Sequence, residues 1–125
     1  MLQGDFFTIN KMETASFTVQ AELVLNASHK IFEGHFPGQP VVPGVCMMQM
    51  VKEILEQAIG EKTKLIQASE MKFLAVINPQ ETNMIQAFLK YALEENGIIN
   101  LSAALQKEDL IYFKIKGKLE LSAQK

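Results

Sequence analysis

Between Pro43 and Gly60 the chain runs through Val45, Cys46, Met47, Met48, Met50 and Val51 with almost no polar interruption. The two bracketing residues punctuate that stretch as a helix. Proline suits the first helical turn, where a missing N–H costs nothing, and glycine suits the position just past the end. The spacing predicts one helix of about sixteen residues, roughly Gly44 to Ile59. Its first half has no polar face and is expected to be buried on all sides, whereas Lys52, Glu53, Glu56 and Gln57 make the second half amphipathic. Whatever else the chain forms must enclose that helix.

The remaining segments read as strands. Phe17 to Leu23 alternates apolar and polar residues with the period of a half-buried strand, and Phe6 to Met12 is a weaker candidate before it. After the helix come Leu65 to Val76, Met84 to Leu93, Ile98 to Gln106 and Leu110 to Leu121. They are separated by Asn78-Pro79, Asn96-Gly97 and Lys107-Glu108-Asp109. Asn-Gly marks a type I′ hairpin turn, since both central residues need positive φ, so the last three strands should form an antiparallel meander. In the final one Ile111, Phe113, Ile115, Leu119 and Leu121 face inward, against Tyr112, Lys114, Lys116, Lys118 and Glu120 facing water. One apolar helix and one long antiparallel sheet have an economical solution, an α+β fold in which a curved sheet wraps the helix. A length of 125 residues with 48% apolar content suits a single domain spanning 1–125.

Composition excludes several classes. The net charge is −2 with Lys and Asp/Glu scattered along the chain, so no basic tract offers to neutralise nucleic-acid phosphates. The start, Met1-Leu2-Gln3-Gly4-Asp5, lacks the pattern of a signal peptide, and no apolar run approaches the ~20 residues of a membrane span. A cytoplasmic location is expected. Cys46 stands alone and there are only two histidines, too few soft ligands for a structural metal site, so Cys46 is expected to be a buried small hydrophobe.

In front of the helix stands Gly34-His35-Phe36-Pro37-Gly38-Gln39-Pro40-Val41-Val42-Pro43-Gly44-Val45. Prolines and glycines make such a loop stiff and irregular, so its histidine is aimed. The segment resembles the active-site loop of the 3-hydroxyacyl-acyl-carrier-protein dehydratases, whose pattern is Gly-His-Phe-Pro-Gly-x-Pro-x-x-Pro-Gly-Val, and it matches every fixed position. A softer likeness covers the following helix and the strand around Met71-Lys72-Phe73-Leu74 with its Asn78-Pro79 turn. The resemblance implies the hotdog fold, which the pattern of helix and strands reaches independently. It also implies dehydration of a 3-hydroxyacyl thioester, carried by acyl-carrier protein or coenzyme A, to the trans-2-enoyl product without a cofactor.

On that resemblance His35 takes the α-proton, a role worth ~10²–10⁴ in rate that an imidazole titrating near neutrality can fill. Phe36, Gly44 and Val45 are implied in substrate binding, with the Gly44 amide holding the thioester oxygen. The first N–H groups of the helix have no intrahelical partner and lie at its positive end, which suits an oxyanion. Equally, Gly44 is a glycine needed for close packing at a helix entry. The family places Glu or Asp fourteen residues after the histidine, and here Gln49 stands there. An amide has no proton to give, although it can hold a hydroxyl or a water. Glu53 lies one turn further on the same face, reversing the family's order of acid then Gln. It is either a displaced general acid or a solvated helix glutamate.

Other features carry two readings each. Met47, Met48, Met50, Met71 and Met84 suit an adaptable acyl tunnel or plain core. Lys114, Lys116 and Lys118 suit an acidic carrier protein or a solvated face that protects an edge. His29, Asn78 and Tyr112 are read as structural. The resemblance implies a dimer whose site joins the histidine of one subunit to the acidic residue of the other, as a homodimer, a higher homo-oligomer or a heterodimer. Gln49 also admits two alternatives to the dehydratase: a thioester-binding accessory subunit lacking the general acid, and a hotdog thioesterase.

Overall fold

A computed structural model describes residues 2–34 and 41–122. The elements in chain order are β1 (Phe7–Ala15), β2 (Thr18–Leu25), a short helix α1 (Ile31–Gly34), the long helix α2 (Gly44–Ile59), β3 (Thr63–Phe73), β4 (Met84–Leu93), β5 (Ile98–Lys107) and β6 (Leu110–Leu121). The six strands form one antiparallel sheet in the order β1-β2-β4-β5-β6-β3, so β1 and β3 are its edges.

Register follows from the apolar alternation, because a slip of one residue would turn every side chain to the other face. Leu23 pairs with Ile85, and Val19 with Leu89. Leu105 pairs with Phe113, and Ile99 with Leu119. All eight are buried, together with Cys46, Met47, Met50, Val51, Ile54 and Leu55 of α2, so the sheet's inner face and the helix share one core.

The helix bounds and the β4–β5–β6 meander agree with the sequence expectation. Asn96 and Gly97 both take positive φ (64° and 74°) as a type I′ turn requires, and Gly60 ends α2 at φ 76°. Pro43 stands just outside the helix as its N-terminal cap, with extended ψ.

Several expectations are corrected. The first half of α2 is not enclosed on every side, since Val45 is 68% exposed. The second half is amphipathic, with Ile54 and Leu55 buried and Gln57 exposed, but Glu53 and Glu56 are buried and not part of its wet side. The strand after the helix ends at Phe73 rather than Val76, and α1 was not anticipated. Tyr112 points into the protein beside Phe113, because a register shift between Leu105 and Gln106 breaks the alternation of β6. Lys114, Lys116 and Lys118 are exposed but lie on an inner strand of the sheet, so they protect no edge. Met47 and Met50 are core, whereas Met71 and Met84 are exposed.

Candidate active site at the start of the long helix

Three contacts set the helix entry. Val42 N–H donates to the Ile77 carbonyl at 2.9 Å, fastening the incoming chain to the segment that follows β3. The Cys46 and Met47 amides turn back to the Pro43 carbonyl at 3.0 and 3.2 Å. Over Gly44 lies the ring of Phe73, so close that a Cβ at position 44 would stand 2.7 Å from Cε1 and 2.9 Å from Cζ. Phe73 in turn packs on Phe113, ring centroids 5.0 Å apart. The amides of Gly44 and Val45, the first two of α2, sit at the positive end of the helix, and Phe73 covers Gly44. Phe73 is the member of the site that sequence reading did not single out. Its only signal was its place in the Met71-Lys72-Phe73-Leu74 strand.

Of the residues expected to act, His35 and Phe36 lie outside the described residues. Gly44 and Val45 stand at the helix entry, with Gln49 and Glu53 successively one turn deeper. Gln49 Nε2 donates to Glu53 Oε2 at 2.8 Å. Glu53 also accepts the backbone N–H of Leu2 on Oε2 and of Gln3 on Oε1, both at 2.7 Å, and is 2% exposed. A buried carboxylate needs such partners, and these come from the opening residues of the chain. Glu53 is therefore a buried, fully engaged group in this fold, not a solvated one.

A turn further, Glu56 accepts from Lys52 Nζ at 2.9 Å, Thr63 N–H at 2.7 Å and the Thr63 hydroxyl at 3.1 Å. Burial alone would raise its pKa, but the lysine and the threonine donors outweigh burial and hold the carboxyl below its ordinary value. Gln3, Glu53, Glu56, Gln57, Glu61 and Lys62 border a cavity of about 500 Å³. Another depression of about 350 Å³, on strands β3 to β6, includes Lys90, Tyr91, Ser102, Lys116 and Lys118 but none of the helix-entry residues.

His29 and Asn78 are engaged in hydrogen bonds within their own loops and with Asp5. Ile31 N–H donates to His29 Nδ1 at 3.0 Å, which leaves the ring proton on Nε2, 3.0 Å from Asp5 Oδ2. Asn78 caps its own turn through Oδ1, which accepts Gln80 N–H at 2.9 Å. Cys46 is buried, and burial pushes its thiol pKa up, so it is no ready nucleophile. Among the described residues no cluster of three or more His, Cys, Asp or Glu is arranged to hold a metal ion. No helix among them is long and apolar enough to cross a membrane.

Residues 10–109 match the family model of the ApeI-like dehydratases, described as ApeI dehydratase. The chain belongs to that family. It is also 26% identical, over 77% of its length and 73% of the relative's, to the 3-hydroxyacyl-acyl-carrier-protein dehydratase FabZ of Latilactobacillus sakei. A second such dehydratase, from Levilactobacillus brevis, aligns at 26% identity over 72% of this chain and 64% of its own length. Among solved structures, a chain of the dehydratase heterocomplex ApeI:P from Xenorhabdus doucetiae superposes with a TM-score of 0.64 at 22% identity, over 92% of this chain and 96% of that one. The identity there is low enough that the likeness speaks for the hotdog fold alone. Membership of the ApeI-like family gives the dehydratase class.

Proposed function

We propose that the protein removes water from a 3-hydroxyacyl thioester on an acyl-carrier protein, giving the trans-2-enoyl thioester for fatty-acid or related lipid synthesis. The observation that carries this reading is the family's complete loop sequence, Gly34 to Val45, running straight into a helix whose entry is glycine beneath Phe73. In the proposed reaction His35 takes the α-proton while the Gly44 and Val45 amides hold the thioester oxygen as negative charge gathers on it. A preorganised donor of this kind is worth ~10²–10³ in rate. The C3–O bond then breaks, and the imidazolium returns its proton to the departing oxygen, which leaves as water. Phe36 and Val45 are assigned to substrate binding. In this reading the site is shared across a dimer, with the histidine drawn from one subunit and position 49 from the other.

A second reading, an accessory subunit whose partner supplies the acid, draws support from two facts. Gln49 has no proton to give, and one structural relative is part of a dehydratase heterocomplex.

The test is incubation with a 3-hydroxyacyl-acyl-carrier-protein, and in parallel with the coenzyme A thioester, followed by mass spectrometry. Loss of water that is abolished in His35→Ala carries the dehydratase reading. Binding without turnover until a partner chain is added moves the assignment to the accessory subunit. Release of free thiol makes the protein a thioesterase.

A further inference from the structure

The carboxamide of Gln49 has a donor end and an acceptor end, and Glu53 decides which faces where. Turning the amide over would press Gln49 Oε1 against Glu53 Oε2, oxygen against carboxylate oxygen, in place of the 2.8 Å hydrogen bond from Nε2. The carboxylate cannot swing aside to relieve that contact. It is 2% exposed and pinned at both oxygens by the amides of Leu2 and Gln3, contributed by a segment remote in sequence. With Nε2 turned toward Glu53, Oε1 occupies the other arm of the planar amide, directed away from Glu53. Gln49 itself is only partly buried, so a ligand can reach it.

We infer that Glu53 is a positioning residue, which locks the Gln49 carboxamide so that the site offers a ligand a hydrogen-bond acceptor rather than a donor. An acceptor selects ligands that bring a hydrogen of their own, and a hydroxyl does so. The chemical meaning rests on the dehydratase reading: the 3-hydroxyl of the substrate donates to Gln49 Oε1, whereas the enoyl product has no hydroxyl to donate. Holding the substrate hydroxyl in this way leaves its oxygen lone pairs free for the proton returned by His35. The site thereby distinguishes substrate from product without owning an acid at position 49.

Two measurements keep the inference apart from the reading beneath it. The first needs no activity. In ¹⁵N-labelled intact protein, the side-chain amide of Gln49, identified by its disappearance in Gln49→Glu, should exchange with water at least about tenfold more slowly than that of exposed Gln57. Equal exchange overturns the locked orientation. The second compares binding of a 3-hydroxyacyl pantetheine with its 3-deoxy counterpart, which lacks only the donated hydrogen bond. The intact protein should prefer the hydroxy ligand about tenfold, and Glu53→Gln should cut that preference to about twofold while still binding the deoxy ligand. A merely structural role would weaken both ligands alike, and an unchanged ratio in Glu53→Gln overturns the inference. Failure of the intact protein to bind either ligand overturns the dehydratase reading, and the exchange measurement then decides the orientation by itself.

Discussion

Two roles are proposed for Gly44, and one substitution separates them. Gly44→Ala keeps the backbone N–H but sets a methyl 2.7 Å from Phe73 Cε1, well inside ordinary contact distance. The obstacle is the far end of a ring that is 52% exposed, so it can swing away. The stability cost should therefore fall at the low end of overpacking, about 1 kcal/mol, a few degrees in Tm by thermal unfolding. If the Gly44 amide holds the thioester oxygen beneath that ring, turnover should fall by more than about tenfold, because a small displacement of a positioned donor is costly. Shortening the covering side chain as well, in Gly44→Ala with Phe73→Leu, should restore the Tm. Activity that follows Tm alone would leave Gly44 with its packing role only. Sequence reading reached Gly44 from the helix start but could not supply Phe73, since no period or motif encodes a contact between a helix entry and a strand end that lie far apart in the chain.

The long helix and the meander were legible because each signal was local. Pro43 and Gly60 bracket α2, Asn96-Gly97 fixes a hairpin, and alternation fixes register. What failed was the inference from charge to exposure. Glu53 and Glu56 read as polar-face residues by helical periodicity, yet both are buried, because besides Gln49 and Lys52 one turn back they accept from Leu2, Gln3 and Thr63, which no helical pattern contains. Tyr112 was misplaced for a similar reason: a register shift is invisible to strict alternation. Glu56 makes the point measurable. Its carboxyl is held below the ordinary value in the folded protein, so its contribution is fully present above the unfolded pKa and is lost as pH falls through the folded one. Glu56→Gln removes the charge that the Lys52 ammonium meets and weakens the acceptor for Thr63. At pH 7 it should cost roughly 1–3 kcal/mol, seen as a lower Tm in a calorimetric scan. At acid pH, once the folded value has been passed, the wild-type carboxyl is protonated as well, and the gap between the two proteins should narrow. An equal gap at neutral and acid pH would mean that the carboxyl matters by shape and not by charge.

The sheet has two edges, and they are defended unequally. β1 presents Thr8, Asn10, Lys11 and Glu13 along an edge that is irregular between Ile9 and Lys11, features that discourage further pairing. β3 carries Lys64, Glu70 and Lys72, but Ile66, Met71 and Phe73 are exposed on it, with Leu74 and Val76 just beyond. Val45 is also exposed beside Gly44, the residue that Phe73 covers, so apolar surface reaches the helix entry from the β3 side. Singly exposed apolar side chains are ordinary, whereas several along one edge suit an interface. A standard interface removes about 800 Å² from each partner, a modest share of the 7317 Å² this chain exposes. We expect two chains of 14.0 kDa to join along β3, bringing the candidate sites to the junction, so that sedimentation reports a particle of twice that mass. Ile66→Lys with Val76→Lys tests this at little risk to the fold, because the two side chains are 50% and 71% exposed and changes at such positions usually stay within about 0.5 kcal/mol. The variant should sediment as a monomer, keep its circular dichroism and lose dehydration. A variant that remains dimeric and active would place the interface elsewhere. A wild-type chain that sediments alone would instead call for a different chain on the β3 edge, and adding that chain would then be the condition under which dehydration appears.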